Sequence, residues 1–266
     1  MKKLLSLALA LALTLALAAC GAPAPAPAPD AVELTVFAAA SLTETMDKII
    51  AAYKTVAPNV TITATYDSSG TLRDQIAAGA DCDLFLSAAG KQMDALEAGK
   101  KPDSLDLIDG ATRIKLLENK VVLVAPEGNP AGVVDFADMA HCDLIAIGNS
   151  DVPVGGYSLE IFKALGLDIG ALEASGQITY GSNVKEVLTQ VQEGTVDCGI
   201  VYATDAVSAG LPALDTATPE LCGQVLYPAA VLKSSKNPDA AKAFLTYLQG
   251  EDAMTIFKSV GFIPAQ

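Results

Sequence analysis

The 266-residue chain has no tryptophan, a single histidine, His141, and only two arginines, Arg73 and Arg113, among 17 basic residues. Each shortage excludes some chemistry. One histidine and no Cys-x-x-Cys spacing remove the usual ligand sets for structural zinc and the usual redox dithiol. A hydrolase would want a nucleophile with a positioned base, yet no Gly-x-Ser-x-Gly elbow occurs and His141 has only Cys142 beside it. An enzyme therefore remains the weaker alternative, resting on the adjacency of Asp67 and Ser68 alone. The bases are outnumbered by 31 acids, for a formal charge of −14. Such a body argues against nucleic acid and against adsorption to acidic lipid.

Alanine and leucine are abundant, above all at the N-terminus. Met1, Lys2 and Lys3 precede an apolar run at 4–19 that ends at Cys20, the pattern of an export leader. A transmembrane anchor is the alternative, but the run is marginal for a span of roughly 20 residues. Leu17-Ala18-Ala19-Cys20 resembles a bacterial lipoprotein cleavage box, which implies removal of residues 1–19 and a lipid on the Cys20 thiol. Losing Lys2 and Lys3 moves the formal charge from −14 to −16. The Ala-Pro alternation from Ala22 to Pro29 favours polyproline II, so residues 20–30 read as a stiff spacer. Four cysteines remain. One disulfide among Cys142, Cys198 and Cys222 is expected, since each precedes a strand-like segment, with Cys82 left out; free buried thiols are the alternative.

Past the spacer, strand patterns at 34–38, 60–66 and 84–86 alternate with helical ones, giving βαβαβ order and hence parallel strands covered on both faces. Ser41 and Glu44 have capping-box spacing before the first helix. A second cycle follows, with strands at 121–124, 144–148, 178–180 and 199–202 and helices at 159–165 and 184–191. Two such sets suggest two α/β lobes with a cleft between them. The strand-like segment 225–232 and the helical stretches 240–248 and 253–257 are expected to pack back on the first lobe.

In open α/β sheets, ligands bind beyond the carboxyl ends of strands, where helix N-termini present free N–H groups. The polar residues gather at those junctions: Ala38-Ala39-Ala40-Ser41, Asp67-Ser68-Ser69-Gly70-Thr71, Val152-Pro153-Val154-Gly155-Gly156-Tyr157-Ser158, Tyr180-Gly181-Ser182-Asn183-Val184 and Tyr202-Ala203-Thr204-Asp205. Taken singly, each has a plain reading: Ser and Asn as helix caps, Gly155 and Gly156 as a turn, Tyr202 as a packed aromatic. Their joint occurrence in both lobes favours a ligand site.

Val36-Phe37-Ala38-Ala39-Ala40-Ser41-Leu42, Ser68-Ser69-Gly70-Thr71-Leu72, Gln75-Ile76-Ala77-Ala78-Gly79-Ala80, Asp83-Leu84-Phe85-Leu86-Ser87-Ala88, Val152-Pro153-Val154-Gly155, Gly199-Ile200-Val201-Tyr202 with Asp205-Ala206, and Ile256-Phe257-Lys258-Ser259-Val260-Gly261-Phe262 together resemble the periplasmic molybdate-binding protein family. The resemblance implies a type II periplasmic binding protein fold with mostly parallel sheets and a hinged cleft, lobe 1 at 31–113 plus 232–266 and lobe 2 at 114–231. It implies no cofactor, and molybdate or tungstate as ligand, with molybdenum held as its oxyanion and not by metal–protein bonds. Its contacts fall on Ser41, Ser69, Val154, Val184 and Tyr202, as hydroxyls and backbone N–H groups. The implied partners are the permease and ATPase of an ABC importer, with a monomer expected and the membrane met only through the N-terminal lipid. Val154 stands where the family pattern has alanine, and Asp67 and Gly70 where it has alanine and serine. Sulfate, phosphate and a small organic anion are the rival ligands. A protonated phosphate would use an acceptor such as Asp67, and an organic anion would want an arginine fork.

Overall fold

Two sets of apolar strands, each flanked by amphipathic helices, organise residues 30–265, the part of the chain that this computed structural model describes. The expected leader, Cys20 and the spacer up to residue 29 lie outside the described residues. The first sheet contains β1 (Val32–Ala39), β2 (Val60–Asp67), β3 (Leu84–Leu86), β4 (Ile114–Asn119), β10 (Val225–Val231) and β11 (Ile263–Pro264), in the order β11-β4-β10-β3-β1-β2. The second contains β5 (Val121–Val124), β6 (Ile145–Gly148), β7 (Ile178–Gly181), β8 (Cys198–Tyr202) and β9 (Asp215–Thr216), in the order β7-β6-β8-β5-β9. Strand β1 runs parallel to β2 and β3, and β6 runs parallel to β7 and β8. Burial follows position in the sheet. Central β3 and β6 are buried at every residue, whereas edge strand β2 alternates.

The helices that matter here are α1 (Thr43–Val56), α2 (Ser69–Ala77), α3 (Gly90–Leu96), α4 (Pro153–Ala164), α5 (Val184–Gln192), α6 (Ala203–Ala209), α7 (Pro238–Leu248) and α8 (Glu251–Lys258). Helix α5 shows why the sequence folds this way locally. Val184, Val187, Leu188 and Val191 are buried at helical spacing, and Asn183 caps the start by accepting from the N–H groups of Lys185 and Glu186. Gly155 and Gly156 lie inside α4 and not in a turn. A Cβ on Gly155 would sit 2.2 Å from the Gly148 carbonyl oxygen and 2.4 Å from that of Asn149. Only glycine lets α4 begin so close to the end of β6.

The chain passes between the sheets twice. Only Lys120 separates β4 from β5, and the return runs from β9 to β10. Both flanking strands, β4 and β10, pair within the first sheet. The C-terminal helices also return to that side: α7 packs on β10 and α8 on α1. All four described cysteines are free and buried, so the expected disulfide is not formed. Cys142 and Cys198 meet instead as a pair of thiols. Cys142 lies before β6 and Cys198 opens the neighbouring β8, which sets their sulfurs 3.6 Å apart, well beyond the roughly 2.05 Å of a bond.

Candidate functional site

The carboxyl ends of β1, β2 and β3 in one sheet face those of β6, β7 and β8 in the other. Between them lies a narrow cleft with only about 10 Å³ of open space, lined by Ala39, Ala40, Ser41, Asp67, Ser68, Ser69, Ala88, Val152, Pro153, Val184 and Tyr202. Pockets for drug-sized ligands measure about 300–1,000 Å³, so with the lobes this close the cleft has no room for an organic molecule of that size. A wider concavity of about 660 Å³, bounded by Pro126, Glu127, Gln192 and Leu211, lies on the second lobe away from these strand ends. It gathers no comparable set of donors.

The residues expected from sequence fall as follows. Ser41, Ser69, Val184 and Tyr202 line the cleft. Val154 is fully buried in the first turn of α4, one residue past the lining Pro153. Ser41 does not cap α1: it sits in a short 3₁₀ turn (Ala40–Leu42), and Leu42 occupies the cap position with no side-chain bond. Its hydroxyl is 2.9 Å from the Tyr227 hydroxyl instead. The two neighbouring serines divide their roles. Ser68 caps α2, accepting from the Thr71 N–H at 3.1 Å, while the Ser69 oxygen accepts from the Ala88 N–H at 2.9 Å and so has its own proton to give. Ser69 and Val184 open their helices and Val154 is second in its own, so no acceptor within the helix is available to their N–H groups.

Tyr202 closes the far wall. It is 1 % exposed, and its hydroxyl makes no hydrogen bond of full geometry among the described residues, the Tyr227 hydroxyl being its one weak neighbour. A buried polar atom left in this state costs about 1–3 kcal/mol unless something binds it. Burial, reinforced by Tyr227, Tyr157 and Asp205, pushes its pKa well above 10, so it remains a phenol able to donate.

Charged groups stay off the lining except for Asp67, whose Oδ1 accepts from the Ser68 N–H at 2.7 Å. Neither arginine lines the cleft: Arg73 pairs with Asp74, and Arg113 with Asp94 and Glu97. Sequence reasoning missed Lys185, next to Val184. Its ammonium lies 2.8 Å from Glu44 on α1 and 2.9 Å from buried Asp205 on α6, joining the two lobes beside the cleft. Burial alone would lower the Lys185 pKa, but the two carboxylates raise it, and burial pushes Asp205 up to about 6 against the pull of Lys185. Also missed were Ala88, Asn119 and Tyr227, whose partners are too distant in sequence to leave a local signal.

Two α/β lobes that converge helix N-termini and neutral hydroxyls on a small closed cleft define a solute-binding protein of the type II periplasmic architecture. The model of the bacterial extracellular solute-binding protein family matches residues 34–263, and the chain belongs to that family. It is 36% identical over 242 residues to the molybdate-binding protein ModA of Escherichia coli, covering 88% of this chain and 90% of that one. It is 32% identical over 235 residues to ModA of Mycobacterium tuberculosis, covering 87% and 85%. The periplasmic molybdate-binding protein of Azotobacter vinelandii shares the fold, with a TM-score of 0.76 at 23% identity over 88% of this chain and 100% of that one. The family is one of binding proteins that work outside the cytoplasm, not of enzymes.

Proposed function

We propose that this protein captures a fully deprotonated tetrahedral oxyanion, molybdate or tungstate, and delivers it to the permease and ATPase of an ABC importer. The observation that carries this reading is the Tyr202 hydroxyl, buried, protonated and without a hydrogen bond of full geometry, in the wall of a cleft whose other polar groups are also mostly donors. Ser41 and Ser69 would give hydroxyls from the first lobe; Val154 and Val184 would give N–H groups and Tyr202 its phenol from the second. Donors alone suit an ion with no proton to share. The names of the similar proteins from Escherichia coli and Mycobacterium tuberculosis support molybdate in particular. The lobes would part and close about the crossings near 114–120 and 217–231, with Cys20 lipidated and holding the body at the membrane. Asp67 supports a second reading, hydrogen phosphate, because its other oxygen could accept the phosphate proton.

Calorimetric titration of ligand-free protein with molybdate, tungstate, sulfate and phosphate separates these readings. Molybdate and tungstate are expected to bind tightly and sulfate weakly, since its smaller frame leaves donor distances long. Ser69→Ala or Tyr202→Phe should weaken molybdate roughly 10- to 150-fold, the scale of one hydrogen bond to a charged group. Tight phosphate binding without a molybdate response would move the assignment to phosphate, and unchanged affinity in both variants would remove the site. Lipid labelling of wild type and Cys20→Ser tests the anchor, with equal labelling the refuting result.

A further inference from the structure

Behind the cleft, a buried chain of hydrogen bonds runs from the crossing between the lobes to Ser41. Its polarity can be read from one fixed point. The backbone N–H of Lys120 donates to Asn119 Oδ1 at 2.8 Å, which settles the orientation of that side-chain amide. Asn119 Nδ2 therefore faces Thr204 Oγ1 at 2.9 Å and the Tyr227 hydroxyl at 3.2 Å. An amide nitrogen only donates. The Tyr227 oxygen is thus already an acceptor, and its proton is available to Ser41 Oγ, 2.9 Å away.

We infer that Tyr227 is a positioning residue for Ser41: by donating to the serine oxygen it occupies the acceptor side and turns the Ser41 proton toward the cleft. This rests on the oxyanion reading above and deepens it. Ser69 is held in the same sense by the Ala88 N–H, which can only donate. Both serines are then presented as donors with one of their two acceptor lone pairs engaged. An ion that must itself donate a proton, such as hydrogen phosphate, finds only the one remaining lone pair of each serine and would have to turn the serine from the orientation its neighbour holds. Tyr227 becomes a specificity determinant for deprotonated oxyanions without touching them.

Its placement fits the role. Tyr227 lies on β10 where the register against β4 shifts between Tyr227 and Pro228, an irregularity of the kind that re-aims a side chain. Its ring packs edge-on against Tyr202 at 5.6 Å and Phe262 at 5.3 Å between centroids, so the ring is held by contacts that do not need the hydroxyl. Tyr227→Phe should accordingly keep the fold while removing the proton donor.

The test is a double-mutant cycle by calorimetry on wild type, Tyr227→Phe, Ser41→Ala and the double variant, each titrated with molybdate and with phosphate, alongside thermal denaturation. Tyr227→Phe is expected to weaken molybdate about tenfold, as for a hydrogen bond to a charged group made unreliable. The same change in the Ser41→Ala background should do almost nothing. The ratio of phosphate to molybdate affinity should rise in Tyr227→Phe. A merely structural tyrosine would instead weaken molybdate equally in both backgrounds and leave that ratio unchanged; either result overturns the inference, as does wild-type affinity in Tyr227→Phe. Wild type that binds none of the oxyanions would remove the functional reading, and this one with it.

Discussion

Replacing Gly70 by alanine sets a methyl group against the opposite lobe. Gly70 is the second residue of α2 on the first lobe, and a Cβ there would lie 2.1 Å from the carbonyl oxygen of Asp151, 2.8 Å from its carbonyl carbon and 2.8 Å from its Cβ. Asp151 belongs to the second lobe, in the link from β6 to α4. Real Cβ contacts under 3.0 Å essentially never occur, and here the obstacle is backbone on a helix-bound segment, so relief of about 1 Å must come from the lobes standing apart. Within α2 itself alanine is favoured over glycine by roughly 1 kcal/mol. The two effects have opposite readouts. The ligand-free variant should melt no lower than wild type, while the second-lobe donors on Val154, Val184 and Tyr202 are held back from an ion seated on Ser41 and Ser69. Forfeiting even one of those bonds is worth about 1.5–3 kcal/mol, so molybdate affinity should fall by roughly tenfold or more. Calorimetry paired with thermal denaturation reads both quantities. Wild-type affinity in Gly70→Ala would show that the contact with Asp151 is absent from the ligand-bound form and would refute the reasoning.

Breaking the bridge between the lobes with Glu44→Gln, which leaves the Lys185–Asp205 pair intact, should weaken binding by at most about fivefold, since a partly exposed pair contributes up to about 1 kcal/mol; calorimetry at low and high salt should find the loss only at low salt, and an equal loss at both would refute it. The Asp205 carboxyl, raised by burial to about 6 from an ordinary 3.8, keeps its proton longer in the folded protein than in the unfolded one. Stability from this group is therefore full below about pH 4 and declines as pH rises through about 6; Asp205→Asn should flatten that part of a denaturation–pH profile, and an unchanged slope would contradict the assignment. Asp67→Asn keeps an oxygen for the Ser68 N–H and removes a negative charge from the wall, so molybdate affinity should rise, roughly fivefold for about 1 kcal/mol of repulsion relieved. Calorimetry showing a fall would refute that reading of Asp67.

Much of the fold was legible because its signals are local. The buried run Leu84-Phe85-Leu86, the alternation of β2 and the helical spacing of Val184, Val187, Leu188 and Val191 all report the face on which they pack. Strand β4 was not legible: Ile114–Asn119 mixes Lys115 and Glu118 with apolar residues and is defined by its pairing with β10, more than a hundred residues away. The junctions predicted the cleft lining because polar residues at strand ends are a pattern along the chain. What each hydroxyl does there was not. Ser41 carries a capping-box spacing that the local sequence cannot distinguish from a cap, and only the fold brings Tyr227 to it from 186 positions away. Ser68 and Ser69 look alike in sequence, yet one caps its own helix and the other accepts from Ala88 across the strand ends. Lys185 likewise acquires its meaning only when α1 and α6 supply Glu44 and Asp205.

A formal charge of −14 does not prevent such a site from holding a dianion, because the two act over different distances. Exposed charges are largely screened beyond about 8 Å at physiological ionic strength, so the acidic surface acts chiefly on the approach of the ion. At contact the field is set by what lies within a few ångströms. There the starts of α2, α4 and α5 converge, and each helix N-terminus behaves as roughly +0.5 of an elementary charge. Three of them supply about +1.5, partly offset by the Asp67 carboxylate in the lining, without an ammonium or guanidinium group. Lys185, next in sequence to the lining Val184, has its charge balanced by Glu44 and Asp205 and is engaged in joining the lobes. Helix ends and hydroxyls hold their direction, whereas a flexible cation turns to meet any anion that enters. Selectivity among ions of equal charge can therefore come from the spacing of fixed donors across the cleft, and it requires both lobes to arrive at their closed positions, which is the condition that the missing side chain at Gly70 permits.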